Sequence, residues 1–273
     1  MPSRSRQSQD QAPPRLLKQI YSQQGIVYGP VQSPRLGASL GINLLPTSYK
    51  LCSFNCVYCQ YGWSKRSLPA PSQLQHLPSV DEVTTAVESA LAEMSGDHKS
   101  VELITICGNG EPTLYPALAG VILAVRALRD RYQPQARVAI LSNSSTVGSP
   151  SVRAALNMFD LKIMKFDAGS EEMFRRLNHP TAPVYMGEII TGLKALENIE
   201  IQSLFVQGRV TNADLDSVEM WVEKVREIHP VGVQVYTLDH EPADKRIEKV
   251  SLTTLQWIAD EIRWRAGVPA EVF

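Results

Sequence analysis

Short apolar runs alternate with longer stretches of helical periodicity from about residue 40 to the end of the chain. Runs such as LITIC and LKIMKF are nearly continuous in apolar side chains, which is typical of strands covered on both faces, as in a parallel sheet. Six runs are predicted to be strands: Leu40 to Leu45, Val101 to Cys107, Val138 to Ser142, Leu161 to Asp167, Ile201 to Val206 and Val233 to Leu238.

Between and after these strands the apolar positions recur with the period of a helix. The predicted helices are Val80 to Met94 behind an N-cap at Ser79, Leu118 to Tyr132, Ser151 to Met158, Glu171 to Leu177, Met186 to Leu196, Leu215 to Ile228 and Leu252 to Arg265. Six β/α units with right-handed crossovers fold into a partial or closed parallel barrel, or into an open doubly wound sheet. In both architectures ligands bind at the carboxyl ends of the strands.

The first 25 residues differ in composition from the rest of the chain. The segment MPSRSRQSQDQAPPR has almost no apolar side chains, and four basic residues against one acidic residue give Met1 to Ile20 a net charge of +3. Such a segment cannot bury enough apolar surface to offset the entropy of ordering. We therefore predict a disordered basic tail over residues 1–25 and one barrel domain with a C-terminal helix over residues 26–273.

Composition and charge narrow the class of protein. Hydrophobic residues make up 44% of the 273 residues, which is ordinary for a globular chain, and no run is long and apolar enough to span a membrane. The net charge of -1 offers no overall basic field that would attract nucleic acid. We expect a soluble, cytoplasmic protein without a membrane partner.

Three of the four cysteines fall within eight residues, directly after the first predicted strand: Cys52, Cys56 and Cys59. In a cytoplasmic chain this clustering indicates metal binding rather than disulfide bonds. Thiolates are the ligands of iron-sulfur centres, and three of them leave one iron of a four-iron cluster open to a small molecule. Zinc is the alternative, but a structural zinc site takes four ligands, so His76 or Cys107 would have to supply the fourth.

A second motif, CGNGEPTLYP, stands where the second predicted strand ends. Gly108 and Gly110 permit tight turns and close approach of a ligand to main-chain carbonyls, Glu111 adds an acceptor and Pro112 fixes the exit from the loop. Such a loop suits an ammonium group.

Together the two motifs resemble those of the radical S-adenosylmethionine (SAM) superfamily. Its signature, Cys-x3-Cys-x2-Cys with an aromatic residue before the last cysteine, is matched by Cys52, Cys56, Tyr58 and Cys59. Its Gly-Gly-Glu-Pro-like loop is matched by GNGEP, which departs from the commonest form at Asn109. The resemblance covers about residues 37 to 240 and implies a partial (β/α)6 parallel TIM-like barrel.

The resemblance also implies a chemistry. Cys52, Cys56 and Cys59 would hold one 4Fe-4S cluster whose open iron chelates the amino and carboxylate groups of SAM. Tyr58 would lie beside the adenine, and the methionyl ammonium would be held by the loop Gly108, Asn109, Gly110, Glu111 and Pro112. Reductive cleavage of SAM would give a 5'-deoxyadenosyl radical that abstracts hydrogen from a substrate. The electron would come from an external donor such as flavodoxin or ferredoxin.

Within the superfamily, the runs Tyr28 to Pro46, GNGEPTL and Tyr236 to Arg246 resemble a branch related to the wyosine-forming tRNA synthases. The substrate stays open between a tRNA base, a peptide or protein, and a small metabolite. The net charge disfavours RNA, whereas the basic tail and the group Lys50, Lys65 and Arg66 favour it. A non-catalytic iron-sulfur or metal-binding electron-transfer protein is the alternative to an enzyme.

Further candidates lie at other strand ends. Ser142 and Asn143 follow the third strand, where the family often contacts the ribose. Lys165 and Asp167 share one face of the fourth strand, and we predict that both point into the barrel mouth as candidate catalytic groups, with Asp167 also contacting the cofactor. A structural salt bridge is the alternative for this pair.

Three other residues are judged from their positions in the predicted elements. Cys107 stands alone in an apolar strand, so we expect a core thiol rather than a cluster ligand. His179 and His240 follow the fourth and sixth strands and are expected to be solvated or to meet substrate.

Overall fold

The computed structural model describes residues 22–64, 74 and 77–273. Most of the predicted tail, together with Lys65, Arg66 and His76, lies outside these residues. The strands are β1 (Val27–Ser33), β2 (Gly37–Ile42), β3 (Leu103–Ile106), β4 (Arg137–Ser142), β5 (Leu161–Lys165), β6 (Ile199–Leu204), β7 (Val206–Gly208), β8 (Gly232–Tyr236), β9 (Ile247–Lys249) and β10 (Ala270–Val272).

The helices are α1 (Val80–Gly96), α2 (Leu118–Tyr132), α3 (Pro150–Leu156), α4 (Glu171–Asn178), α5 (Met186–Lys194), α6 (Leu215–Ile228) and α7 (Leu252–Glu261). Ser79 caps α1 as predicted, in a capping box with Glu82. The last predicted helix is shorter than expected, because its final turn is a π-helical segment at Ile262–Ala266. No helix within the described ranges is both long and apolar enough to cross a membrane.

One eight-stranded sheet organises the chain in the order β1-β2-β3-β4-β5-β6-β8-β10. The six predicted strands correspond to β2, β3, β4, β5, β6 and β8, and each neighbouring pair among them is parallel. A second sheet in the described residues, β7 with β9, is an antiparallel pair. A single cavity touches residues of every one of the six parallel strands, so the sheet curves around it as a partial barrel rather than lying open.

The main core lies between the outer face of this sheet and the helices, with fully buried side chains such as Ile104, Ile140 and Trp221. A smaller cluster fills the interior of the barrel with Leu103, Ala139, Leu161 and Ile163. Because both faces are packed, all four residues of β3 are buried, as its continuous apolar pattern predicts.

Two edge strands were not predicted from the sequence. β1 pairs antiparallel with β2 through an irregular register between Tyr28 and Val31, and β10 adds in parallel to β8. β1 carries Gly29 and Pro30 and is largely exposed, so it has no buried apolar run to reveal it. The hairpin nevertheless brings Tyr28 and Arg35 to the interior of the barrel.

Candidate functional site

The candidate site is a cavity of about 430 Å³ at the carboxyl ends of the parallel strands. A volume of this size is within the range of small-molecule and cofactor sites. Of the residues predicted to bind the cluster or the cofactor or to act in catalysis, ten line it: Cys52, Cys56, Tyr58, Cys59, Gly108, Gly110, Glu111, Ser142, Asn143 and Lys165. Asn109, Pro112 and Asp167 do not line the cavity.

The cysteine loop is fixed to the GNGEP loop by main-chain hydrogen bonds at Leu51. Leu51 N donates to Asn109 O at 3.0 Å, and Glu111 N donates to Leu51 O at 3.0 Å. Gly110 has a φ of +145°, and a Cβ there would lie 1.7 Å from Leu51 O. Glycine is therefore required for this close approach, which places Cys52 beside the second motif.

On its other side the cysteine loop is attached to the end of α4. Asn55 N donates to Asn178 O and Val57 N donates to Leu177 O, both at 3.0 Å. Main-chain bonds on both sides leave the loop little freedom, so the three thiols have fixed directions.

Each of the three thiol sulfurs has a nitrogen donor 3.5 Å away. Asn143 Nδ2 contacts Cys52 Sγ, Asn178 Nδ2 contacts Cys56 Sγ, and Lys50 Nζ contacts Cys59 Sγ. Burial is the largest cause that raises the pKa of Cys52, and it likewise raises the pKa of Cys56 to about 11, although the Asn178 contact acts in the opposite direction. No three His, Cys, Asp or Glu side chains of the described chain come together closely enough to hold a single metal ion.

Glu111 connects the two polar loops that follow β3 and β4. Its carboxylate accepts hydrogen bonds from Thr113 N at 3.0 Å, Ser142 Oγ at 2.8 Å and Asn143 N at 2.5 Å. Burial raises the pKa of Glu111, and these bonds oppose that shift. Glu111 and Ser142 are thus bonded to each other, and Glu111 holds the Asn143 backbone in place.

Two residues of the second motif shape the loop without facing the cavity. Asn109 is fully buried, and its amide donates to Gln23 O at 2.9 Å and Pro46 O at 3.0 Å. Pro112 begins a 3₁₀ turn over Pro112–Leu114. The departure from the commoner glycine at position 109 therefore supplies a side chain that bonds the segment before β1 and the segment after β2.

Lys165 and Asp167 were both predicted to point into the barrel mouth, but only Lys165 lines the cavity. Their side chains form an ion pair at 3.0 Å, with Lys165 18% exposed and Asp167 1% exposed. Asp167 also accepts hydrogen bonds from Leu204 N and Asn178 Nδ2, both at 2.9 Å, and from the Tyr58 hydroxyl. The Asp167 carboxylate can be buried beneath the cavity wall because these four protein partners replace the water molecules that would otherwise hydrate it.

Cys107 differs from its expected place in an apolar core. It follows β3 directly, is only partly buried, and lines the cavity. Its sulfur lies 2.8 Å from the hydroxyl of Tyr28 on β1, and burial raises the pKa of the thiol to about 11. Gly41 makes room for the Tyr28 ring, because a Cβ at that position would lie 2.2 Å from it.

The interior end of the cavity is lined by six polar residues that we call the lumen wall: Arg35, Ser39, Thr105, Lys165, Gln202 and Tyr236. Apart from Lys165, sequence reasoning did not single them out. Lys165 Nζ donates to the Tyr236 hydroxyl at 2.8 Å, which donates in turn to Gln202 Oε1 at 3.2 Å. Gln202 is buried on β6, and a lone glutamine within an apolar strand was the available signal.

The two histidines have different surroundings. His240 lines the cavity, whereas the exposed His179 ends α4 in a left-handed conformation and packs edge-on against the Trp63 ring at 5.7 Å.

Sequence comparison finds similar proteins from several organisms. A GTPase Obg of Brachyspira hyodysenteriae is 28% identical over 228 residues, which cover 82% of this chain and 32% of that protein. The UPF0026 protein MJ1312 of Methanocaldococcus jannaschii is 30% identical over 227 residues, which cover 82% of this chain and 66% of that protein. The chain thus spans about a third of the first protein's length and about two thirds of the second's. No family model matches the chain.

Solved structures show the fold. A radical SAM methyltransferase of Sphaerobacter thermophilus superposes with a TM-score of 0.65 at 16% identity, covering 88% of this chain and 67% of that one. SuiB of Streptococcus suis bound to S-adenosylmethionine superposes with a TM-score of 0.59 at 14% identity, covering 85% of this chain and 50% of that one. TYW1 with a lysine-pyruvate adduct bound superposes with a TM-score of 0.55 at 16% identity, covering 84% of this chain and 74% of that one. The chain therefore has the partial-barrel fold found in radical SAM enzymes, as the sequence motifs imply.

Proposed function

We propose that this protein is a radical SAM enzyme that binds one 4Fe-4S cluster through Cys52, Cys56 and Cys59 and binds SAM beside it. One observation carries the proposal: the three thiols open onto the same cavity as Gly108 and Gly110, at the carboxyl ends of the parallel strands. We further propose that residues 26–273 act as one domain, as an oxidoreductase or transferase of the cytoplasm.

The residues present fit such a cluster. Three thiols in one fixed loop supply the soft donors that iron-sulfur centres take, and a nitrogen donor near each sulfur stabilises thiolate charge. Held by these thiols and reduced, the cluster would supply the electron that cleaves SAM into methionine and a 5'-deoxyadenosyl radical for hydrogen abstraction.

The protein's own groups bind and orient the cofactor in this proposal. Gly108 and Gly110 leave the main chain accessible to the methionyl ammonium, and the Tyr58 ring offers a flat surface to the adenine. Asn143 lines the cavity and would contact the ribose. Asn109, Pro112 and Asp167 act indirectly, by shaping the loop and by holding Tyr58 and Lys165.

The size of the cavity favours an enzyme over an electron-transfer protein, since an electron carrier has no use for a space of about 430 Å³ beside its thiols. We propose an external electron donor such as flavodoxin or ferredoxin. A tRNA base, as in the wyosine-forming branch, a peptide or a metabolite would be the substrate.

Anaerobic reconstitution of the wild type, Cys56→Ala and Cys107→Ser tests the proposal. The wild type should hold four irons and four sulfides per chain and slowly release 5'-deoxyadenosine from SAM under a strong reductant. Cys56→Ala should lose most of the iron, while Cys107→Ser is the matched control for removing a cavity-lining thiol. A wild type that binds iron and SAM but never yields deoxyadenosine would favour electron transfer, and full iron retention by Cys56→Ala would contradict the ligand set.

A further inference from the structure

Arg35 brings a positive charge from the β1–β2 turn to the interior of the barrel. Its guanidinium carbon lies 4.3 Å from the centroid of the Tyr236 ring, and the side chain lines both the cofactor cavity and a second cavity at the amino ends of the strands. Arg35 Nε is buried, and no hydrogen-bond acceptor for it exists among the described residues. A guanidinium stays charged at any physiological pH, so a buried donor without an acceptor is costly.

Lys165 presents a second cation to the same part of the cavity. Its ammonium has three hydrogens, of which one is directed to the Tyr236 hydroxyl at 2.8 Å and another to Asp167 at 3.0 Å. Although burial alone would lower the pKa of Lys165, the Asp167 carboxylate raises it overall, so the group stays protonated. One N–H remains for a group in the cavity.

Tyr236 holds the two cations in a fixed relation. Lys165 Nζ lies 5.0 Å from the ring centroid and Arg35 packs over the ring at 4.3 Å. The hydroxyl of Tyr236 donates to Gln202, and Gln202 Nε2 donates to Gln234 Oε1 at 2.9 Å. These two hydrogen bonds fix the position of the Tyr236 ring.

The acidic groups nearby are already engaged or face elsewhere. Asp167 pairs with Lys165, Glu111 accepts from the strand-end loops, and Asp239 is 67% exposed. Glu102, Glu200 and Glu271 line the second cavity, and none forms an ion pair with Arg35 in the described structure. Arg35 therefore carries a charge that the described protein does not neutralise.

We propose that Arg35 and Lys165 bind an oxyanion of the substrate, a carboxylate or a phosphate, at the lumen wall. A guanidinium fork and an ammonium donor are the usual partners of both groups. The inference rests on the proposed function, because it assigns the thiol end of the cavity to the cofactor and the lumen wall to the substrate.

Anion-dependent thermal stabilisation of the full chain tests this inference without a cluster. Inorganic phosphate and acetate are the probes, each titrated to about 50 mM at constant ionic strength set with sodium chloride. At least one anion should stabilise the wild type, and the stronger of the two identifies a phosphate or a carboxylate. Arg35→Gln and Lys165→Gln should bind that anion about tenfold more weakly, and Arg35→Lys should be intermediate.

Arg137→Gln is the matched control, since Arg137 is exposed and lines only the second cavity. It should respond to the anions as the wild type does. No stabilisation by either anion, or equal stabilisation of wild type and Arg35→Gln, would overturn the inference.

SAM itself carries a carboxylate, so SAM affinity is measured on reconstituted protein. Iron content and SAM affinity should be the same for Arg35→Gln and Arg137→Gln; if Arg35→Gln loses SAM affinity about as much as anion affinity, Arg35 serves the cofactor and the inference is wrong. A wild type without iron would contradict the proposed function instead, and anion binding by the cluster-free chain would still decide the role of Arg35.

Discussion

At the thiol end of the cavity the polar side chains bond to one another, whereas at the lumen wall two cations retain donors that the described protein does not use. Glu111 accepts several protein hydrogen bonds, and each cysteine sulfur has a nitrogen donor. Arg35 Nε has no such acceptor.

The difference separates two tasks that one cavity can perform. A site for a fixed inorganic group benefits from rigid ligands held by their own partners. A substrate site keeps polar groups available, because a ligand must replace whatever satisfied them before binding. The predictions below change one group at a time in each part.

The largest effect on stability is expected for Asp167→Asn. This substitution removes a buried charge from beneath the lumen wall. The substitution leaves Lys165 unpaired and places an N–H₂ group among donors, so we expect a loss of about 2–4 kcal/mol of unfolding free energy and a fall in Tm of about 5–10 °C. Thermal unfolding monitored by circular dichroism measures this loss of stability.

SAM affinity of the same variant decides between the two roles of Asp167. Asp167 is 1% exposed and does not line the cavity, and the asparagine oxygen can still accept the hydrogen bond of the Tyr58 hydroxyl. SAM affinity should therefore change less than twofold if the protein folds. An unchanged Tm with weakened SAM binding would instead show that Asp167 contacts the cofactor, as expected from the sequence. Asp239→Asn, an exposed aspartate at the rim, is the control.

A smaller effect is expected for Lys50→Met at the thiol end. The Lys50 ammonium lies 3.5 Å from Cys59 Sγ and is held by Gly62 O at 2.9 Å. A positive charge near the proposed cluster would stabilise its more negative reduced form. Removing that charge should therefore lower the reduction potential by about 60 mV, or roughly one power of ten for a one-electron couple.

Redox titration followed by electron paramagnetic resonance measures this shift. Lys50→Arg keeps the charge and should stay near the wild-type potential. A potential that is the same in all three proteins would show that Lys50 only anchors the loop.

The sequence predicted the thiol end far better than the lumen wall. Cys52, Cys56 and Cys59 lie in one short loop, so spacing alone brings them together, and the six parallel strands followed from continuous apolar runs. Arg35 and Tyr236 lie far apart in the sequence and meet only because the turn between β1 and β2 brings Arg35 over the ring of Tyr236 on β8. β1, with Gly29, Pro30 and mostly exposed positions, gave no periodic signal for that hairpin.

The pairing of Lys165 with Asp167 was predictable only in part. Strand periodicity placed the two residues on one face, but burial of Asp167 depends on Asn178 and Leu204, which belong to other elements. Whether a charge faces a cavity or a protein partner is decided by such tertiary contacts, which local pattern does not contain.

The smallest effect on iron content and stability is expected for Cys107→Ser. Cys107 lies between the two parts of the cavity. Its sulfur contacts the Tyr28 hydroxyl at 2.8 Å, and a serine hydroxyl of similar shape can keep that hydrogen bond. Because Cys107 does not belong to the cysteine loop, iron content should match the wild type and unfolding free energy should change by less than about 1 kcal/mol. Iron and sulfide analysis beside the absorption spectrum of the reconstituted variant checks both points. Loss of iron from a folded Cys107→Ser protein would mean that a fourth thiol reaches the cluster, which would close the iron that SAM requires and undo the division of the cavity into cofactor and substrate ends.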